Sequence, residues 1–172
     1  MKLPQYIKFS KYSSGFNLIE LLVAVSIMGI LFGLGYANFR GFSRRQSFQN
    51  AVKMIQADLR LAQSTALAGQ MPSDLVCNGT NDLNGYFFNI IAANHYEIRA
   101  SCTGGVVSSV KKDVILTNGI TIAAPFPVPN PILFKVLGSG TNLSTASTTI
   151  NLLQSGNSSP ATITINIAGQ IQ

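Results

Sequence analysis

Ser14-Gly15-Phe16-Asn17-Leu18-Ile19-Glu20-Leu21-Leu22 opens an apolar run that extends to Phe39 and holds a single charge, the carboxylate of Glu20. No proline interrupts the chain between Pro4 and Pro72, so one helix is predicted from Phe16 to about Ala68. From Leu21 to Phe39 that helix would be roughly 29 Å long, enough for one crossing of a bilayer core. A carboxylate deep in hydrocarbon costs roughly 2.5 to 3.5 kcal/mol on insertion scales. Glu20 therefore marks a specific partner or a working site.

An ordinary secretory signal is cut after its apolar core, at a small-x-small site. Here the run ends in Tyr36-Ala37-Asn38-Phe39 and carries its acid near the start. Lys2, Lys8 and Lys11 precede the run while Arg40, Arg44 and Arg45 follow it, so positive charge alone does not orient the segment. Gly29 and Gly33 have the small-xxx-small spacing that lets helices approach closely, and equally fit the general enrichment of glycine in membrane helices. Gly41 lowers helix propensity by about 1 kcal/mol where the uniformly apolar part gives way, favouring a bend or local melting.

Beyond that point the pattern becomes amphipathic. Phe48, Val52, Ile55, Leu59, Ala62 and Ala66 recur at steps of four and three, and Lys53, Gln56, Asp58, Arg60 and Gln63 are expected to face elsewhere. Gly69 followed by Pro72 should close the helix. Strands are predicted at Tyr86 to Ile91, His95 to Ala100, Val106 to Val110, Val114 to Leu116 and Ile120 to Ile122, with Asn118-Gly119 as a turn. Pro125, Pro127, Pro129 and Pro131 mark extended loop. Ile132 to Val136, Thr148 to Leu152 and Thr162 to Ile167 supply the last strands, the final two separated by a loop over 155–160. The fold class is α+β: a long N-terminal helix with a membrane-spanning half and an amphipathic half, packed on a C-terminal antiparallel β-sheet domain.

The residues GFNLIELL behind a short basic leader resemble the processing site of type IV prepilins and of type II secretion pseudopilins. The resemblance implies a leader peptide at 1–15, a transmembrane and filament-core helix at 16–39, an amphipathic helix at 40–70 and a β-rich globular domain at 71–172. It implies a cut between Gly15 and Phe16 by prepilin peptidase, N-methylation of Phe16, and a docking role for Glu20, the fifth residue of the mature chain, toward the cationic N-terminus of a neighbouring subunit. Asn17 stands where threonine is commoner. The segment Ala51 to Gln70 and the closing Ile165-Asn166-Ile167-Ala168-Gly169 resemble the H-type pseudopilin and related minor pilins. Many major pilins bend the helix at a proline whose matching residue here is Ala37, a departure that weighs against a major-pilin role.

On this resemblance the protein is a minor pilin or pseudopilin, inserted once in the bacterial inner membrane with its C-terminal domain outside the cytoplasm and then built into a pilus or pseudopilus filament. Its implied partners are other pilin or pseudopilin subunits, the prepilin peptidase, the inner-membrane assembly platform and, before assembly, the lipid bilayer. A DNA-binding minor pilin of a competence pilus is an alternative; the arginines that some such relatives place after the final glycine are replaced here by Gln170-Ile171-Gln172. A membrane-tethered binding domain or enzyme sharing only the leader is a second alternative.

Composition adds limits. Loss of the leader removes three lysines and no acid, lowering the net charge from +6 to +3, too little to argue for nucleic acid on its own. Cys77 and Cys102, an even pair in an exported domain, read as a disulfide whose loop would contribute about 3 kcal/mol by the chain-entropy model, with two buried thiols as the alternative. His95 is the only histidine, and neither a metal site, a cofactor nor a catalytic constellation is expected. Sequons begin at Asn78, Asn142 and Asn157, at a frequency the Asn, Ser and Thr content makes unsurprising.

Overall fold

The computed structural model describes residues 15, 17–74 and 76–172, without the side chains of residues 34–40, 157 and 158. Phe16, with its predicted cut and methylation, and leader residues 1–14 lie outside the described residues. Helix α1 (Leu18–Leu67) belongs in part to a compact unit, Met1–Ser43, and in part to a second, Arg44–Gln172.

In the first unit the Asn17 carbonyl accepts the N–H groups of Glu20 and Leu21 at 2.9 and 3.2 Å, which starts the helix at a residue type favoured for that place. Every described large apolar side chain from Leu18 to Phe32 is exposed, from 48% at Val23 to 80% at Leu18. Gly41 remains within the helix, so the local melting expected there does not occur. Among the described residues no helix is long and apolar enough to cross a membrane. The described side chains of the apolar run stop at Gly33, while the run itself continues in sequence to Phe39.

In the second unit α1 buries Ile55, Leu59, Ala62 and Ala66 completely, flanked by Phe48 and Ala51. Ala51 takes the core position expected of Val52, which is only partly buried against it. The helix closes at Gly69, φ +59°, where the Gln70 N–H reaches the Thr65 carbonyl and the Gly69 N–H that of Ala66. That paired pattern satisfies the last carbonyls with a left-handed residue that glycine adopts without a Cβ clash.

Seven strands follow: β1 (Leu83–Ala92), β2 (His95–Cys102), β3 (Lys112–Ile115), β4 (Ile120–Ile122), β5 (Ile132–Lys135), β6 (Ser147–Gln154) and β7 (Asn157–Asn166). They form two antiparallel sheets, ordered β3-β2-β1-β5 and β4-β6-β7. Alternation sends Tyr86, Phe88 and Ile90 of β1, Tyr96, Ile98 and Ala100 of β2, and Ile132 and Phe134 of β5 into one core with the helix stripe. Ile120, Ile122, Ile150, Leu152, Ile163 and Ile165 extend that core across the second sheet.

Two local expectations change. Val106 to Val110 is not a strand: Gly104 and Gly105, both at φ +78°, turn the chain away, and the Ser108 hydroxyl rather than a strand neighbour accepts the Ala100 N–H at 2.9 Å. Asn118-Gly119 turns as expected, at φ +60° and +67°, and joins β3 of one sheet to β4 of the other. Residues 155–160 are no loop, because Ser155-Gly156 makes a two-residue turn and β7 begins at Asn157. Pro160 is tolerated there because β7 ends its sheet, where a missing N–H breaks no ladder.

Truncating a fully buried helix contact tests this packing. Leu59→Ala should cost about 2 to 5 kcal/mol in denaturant unfolding. The same truncation at exposed Gln49 should stay within about 0.5 kcal/mol.

Candidate functional site

The predicted processing and docking residues sit at the start of α1. Gly15 is exposed, and a Cβ built on it would meet nothing within 4 Å. Among the described residues nothing packs against that position. Gly29 and Gly33 are equally unobstructed, although a glycine in a helix interior costs about 1 kcal/mol relative to alanine. Glu20 is exposed one turn into the helix, with no hydrogen bond or ion pair among the described residues. The amine that the resemblance assigns to it belongs to Phe16, outside the described residues.

The second acid of α1 is treated in the opposite way. Asp58, expected on the solvent side, is buried. Its Oδ2 accepts the Tyr96 hydroxyl at 2.7 Å and its Oδ1 accepts the Lys112 ammonium. Burial, followed by the hydrogen bond to Asp58 and that carboxylate's charge, pushes the Tyr96 hydroxyl far above the ordinary tyrosine range. Asp58 lies three residues after Ile55 and four before Ala62, so helical spacing alone could have placed it at the edge of the buried stripe. The network pins α1 to β2 and β3.

Cys77 and Cys102 form a disulfide with Cα atoms 5.4 Å apart, tying the segment after α1 to the end of β2. Nearby, Asp74 Oδ2 accepts the Ser109 N–H, and this bond holds its carboxyl below the usual carboxylate range. A cleft of ≈ 290 Å³ lies beside it, bounded by Gln70, Met71, Tyr86 and Lys111. The Lys111 ammonium rests 4.9 Å over the Tyr86 ring and 3.4 Å from Gln70 Oε1, while the Tyr86 hydroxyl donates to the Gln70 carbonyl at 2.8 Å. Burial, and after it the charge of Asp74, raises the Tyr86 pKa.

His95 Nε2 stands 2.5 Å from Asp113 Oδ1 across β2 and β3, on the sheet face away from the helix. No hydroxyl or thiol is hydrogen-bonded to that ring among the described residues. Glu97 on the same face receives Arg99 Nε at 2.8 Å and Asn89 Nδ2 at 3.1 Å. Among the described residues no three His, Cys, Asp or Glu side chains gather as a metal site. Of the sequon asparagines, Asn142 uses its amide internally: Oδ1 accepts the Leu133 N–H at 2.8 Å and Nδ2 donates to the Pro131 carbonyl at 3.0 Å.

A family model described as the prokaryotic N-terminal methylation motif matches residues 10–36. No curated protein and no solved structure matches the chain. The matched span contains Gly15, Phe16 and Glu20 and the described part of the apolar helix, and it ends before the β-rich unit. A leader of this class is that of type IV pilin-like proteins, and it implies processing by a prepilin peptidase, a membrane anchor and assembly with other pilins.

Two measurements probe the polar contacts. Removing the Tyr96 hydroxyl in Tyr96→Phe should cost about 1.5 to 3 kcal/mol in unfolding free energy, the range for a hydrogen bond to a charged group. Because the folded-state pKa of Asp74 is depressed, its contact stabilises above the unfolded value of about 3.9 and is lost as pH falls through the lower folded value. The melting temperature of Asp74→Asn should accordingly fall less steeply below about pH 4 than that of the parent protein.

Proposed function

We propose that the protein is a minor pilin or pseudopilin: a structural subunit cut after Gly15, methylated on Phe16 and packed by its N-terminal helix into a filament. The observation that carries this reading is Glu20, an acid with no partner among the described residues, set in a stretch of α1 whose described large apolar side chains, from Leu18 to Phe32, are all uncovered. Burying each such side chain yields about 1.5 to 3 kcal/mol, so this surface favours leaving water for a bilayer or for other helices. In a bilayer Glu20 is a liability. In a filament it becomes useful only if a cation arrives, and the free amine created by cleavage is one.

The unobstructed glycines support the same reading. Open space around Gly15 among the described residues suits a peptidase reaching an extended substrate. The spacing of Gly29 and Gly33 suits close packing by neighbouring helices. The likeness to the H-type pseudopilin favours a minor role in a type II secretion pseudopilus or a type IV pilus. The work of the chain is assembly and not catalysis.

Mass spectrometry of the processed chain should find a methylated N-terminal Phe16, and Gly15→Val should leave the leader attached. Glu20→Ala should still be trimmed yet should be depleted from purified filaments by at least about tenfold, the equivalent of losing one ion pair of modest strength in a low-dielectric interior. Trimming at Gly15 with normal incorporation of Glu20→Ala would instead favour a tethered domain. A mature chain that still begins at Met1 would overturn the proposal.

A further inference from the structure

The exposed face of α1 in the second unit is basic and contains no acid. Arg45, Lys53 and Arg60 are all exposed, and none has a hydrogen bond or ion pair among the described residues. Solvated helices normally place acids three or four residues from such cations, where an opposite charge stabilises the helix. Around Lys53 those positions hold Gln49, Asn50, Gln56 and Ala57; around Arg60 they hold Gln56, Ala57, Gln63 and Ser64. The one acid of this stretch, Asp58, is turned inward to Tyr96 and Lys112. Lys53, Arg60 and Leu67 follow at seven-residue steps, with Leu67 47% exposed. Beside that row runs a second one of Asn50, Ala57 and Ser64, short enough to let another helix approach.

We propose that this face docks a helix of a different subunit, one that carries acids at matching seven-residue spacing; the proposal rests on the filament-subunit reading above. A second copy of this chain fits poorly. Asp58 is committed to Lys112, Glu97 to Arg99, Asp113 to His95 and Asp74 to the Ser109 N–H, which leaves Asp82 as the acid of the second unit whose carboxylate has no cation or backbone N–H among the described residues. Copy against copy would bring three cations to one acid and bury uncompensated charge. A nucleic-acid duplex fits poorly as well. It presents a phosphate about every 1.7 Å of axis, whereas Lys53 and Arg60 lie roughly 10 Å apart along the helix with neutral amides between them. The partly exposed Leu61 and Leu67 add an apolar component that suits a protein surface.

The test uses the full chain in cells that assemble the filament, with a photo-crosslinking side chain at Ala57. The crosslinked peptide should come from a helix of another processed subunit and include Asp or Glu. Lys53→Glu with Arg60→Glu should lower the yield about tenfold, the effect of reversing two exposed pairs, and reversing the crosslinked acids should restore it. Lys53→Gln with Arg60→Gln, at exposed positions, controls for folding and should give an intermediate yield. A crosslink to another copy of this chain, a yield indifferent to charge reversal, or charge-dependent retention on DNA without a subunit crosslink would each overturn the proposal. N-terminal analysis of the same samples separates the failures. Trimming at Gly15 with a self-crosslink removes only the partner assignment, whereas an untrimmed chain removes the subunit reading along with it.

Discussion

Helix α1 is covered by the chain from Phe48 to Ala66 and, among the described residues, uncovered from Leu18 to Phe32. From Phe48 onward the helix has a buried stripe matched by two sheets, so its apolar residues leave water within their own chain. From Leu18 to Phe32 no described apolar side chain finds such cover. A helix apolar on every side is suited to hydrocarbon or to the interior of an assembly, because an amphipathic stripe is what a globular domain would select. The difference between the halves lies in the sequence itself: uniform hydrophobicity in one, a step of three and four in the other.

Glu20 and Asp58 express the same electrostatic rule in two settings. A carboxylate withdrawn from water must be compensated, and Asp58 is compensated inside the chain by a hydroxyl and an ammonium. Those partners come from β2 and β3, distant in sequence, so the contact fixes how the helix sits on the four-stranded sheet. Glu20 has no such partner among the described residues, although its surroundings in sequence are far more apolar. Once that segment leaves water, its charge needs a countercharge from beyond the described residues.

Much of this was legible in the sequence, where local pattern and tertiary demand agree. The helix stripe, its closure at Gly69, the hairpin of β1 and β2 and the strand Ile120–Ile122 follow from periodicity and turn chemistry. The errors fall where a tertiary partner overrode the local signal. Val106 to Val110 reads as a strand, but two glycines and the Ser108 side chain divert it. Asn118-Gly119 was read as a turn and is one, although nothing local tells that its flanking strands belong to different sheets. Asp58 was assigned to solvent by polarity, when its spacing from Ile55 and Ala62 already put it against the core. Glu20 was legible because a lone acid in an apolar run is an anomaly at any scale, whereas the acid-free row of Lys53 and Arg60 becomes conspicuous only once Asp58 is known to face inward.

The glycines divide along the same line. A Cβ at Gly85 would collide with the Phe134 carbonyl across the β1–β5 pair, and one at Gly140 would lie 2.7 Å from the Ile167 carbonyl. The fold itself enforces these two. Gly15, Gly29, Gly33 and Gly41 meet nothing, and three of them sit in a helix that alanine would stabilise. At Gly29, Gly33 and Gly41 the residue lowers helix propensity without relieving any contact among the described residues. Uncovered apolar surface, an acid without a partner among the described residues and glycines with open space around them all fall between Gly15 and Gly33.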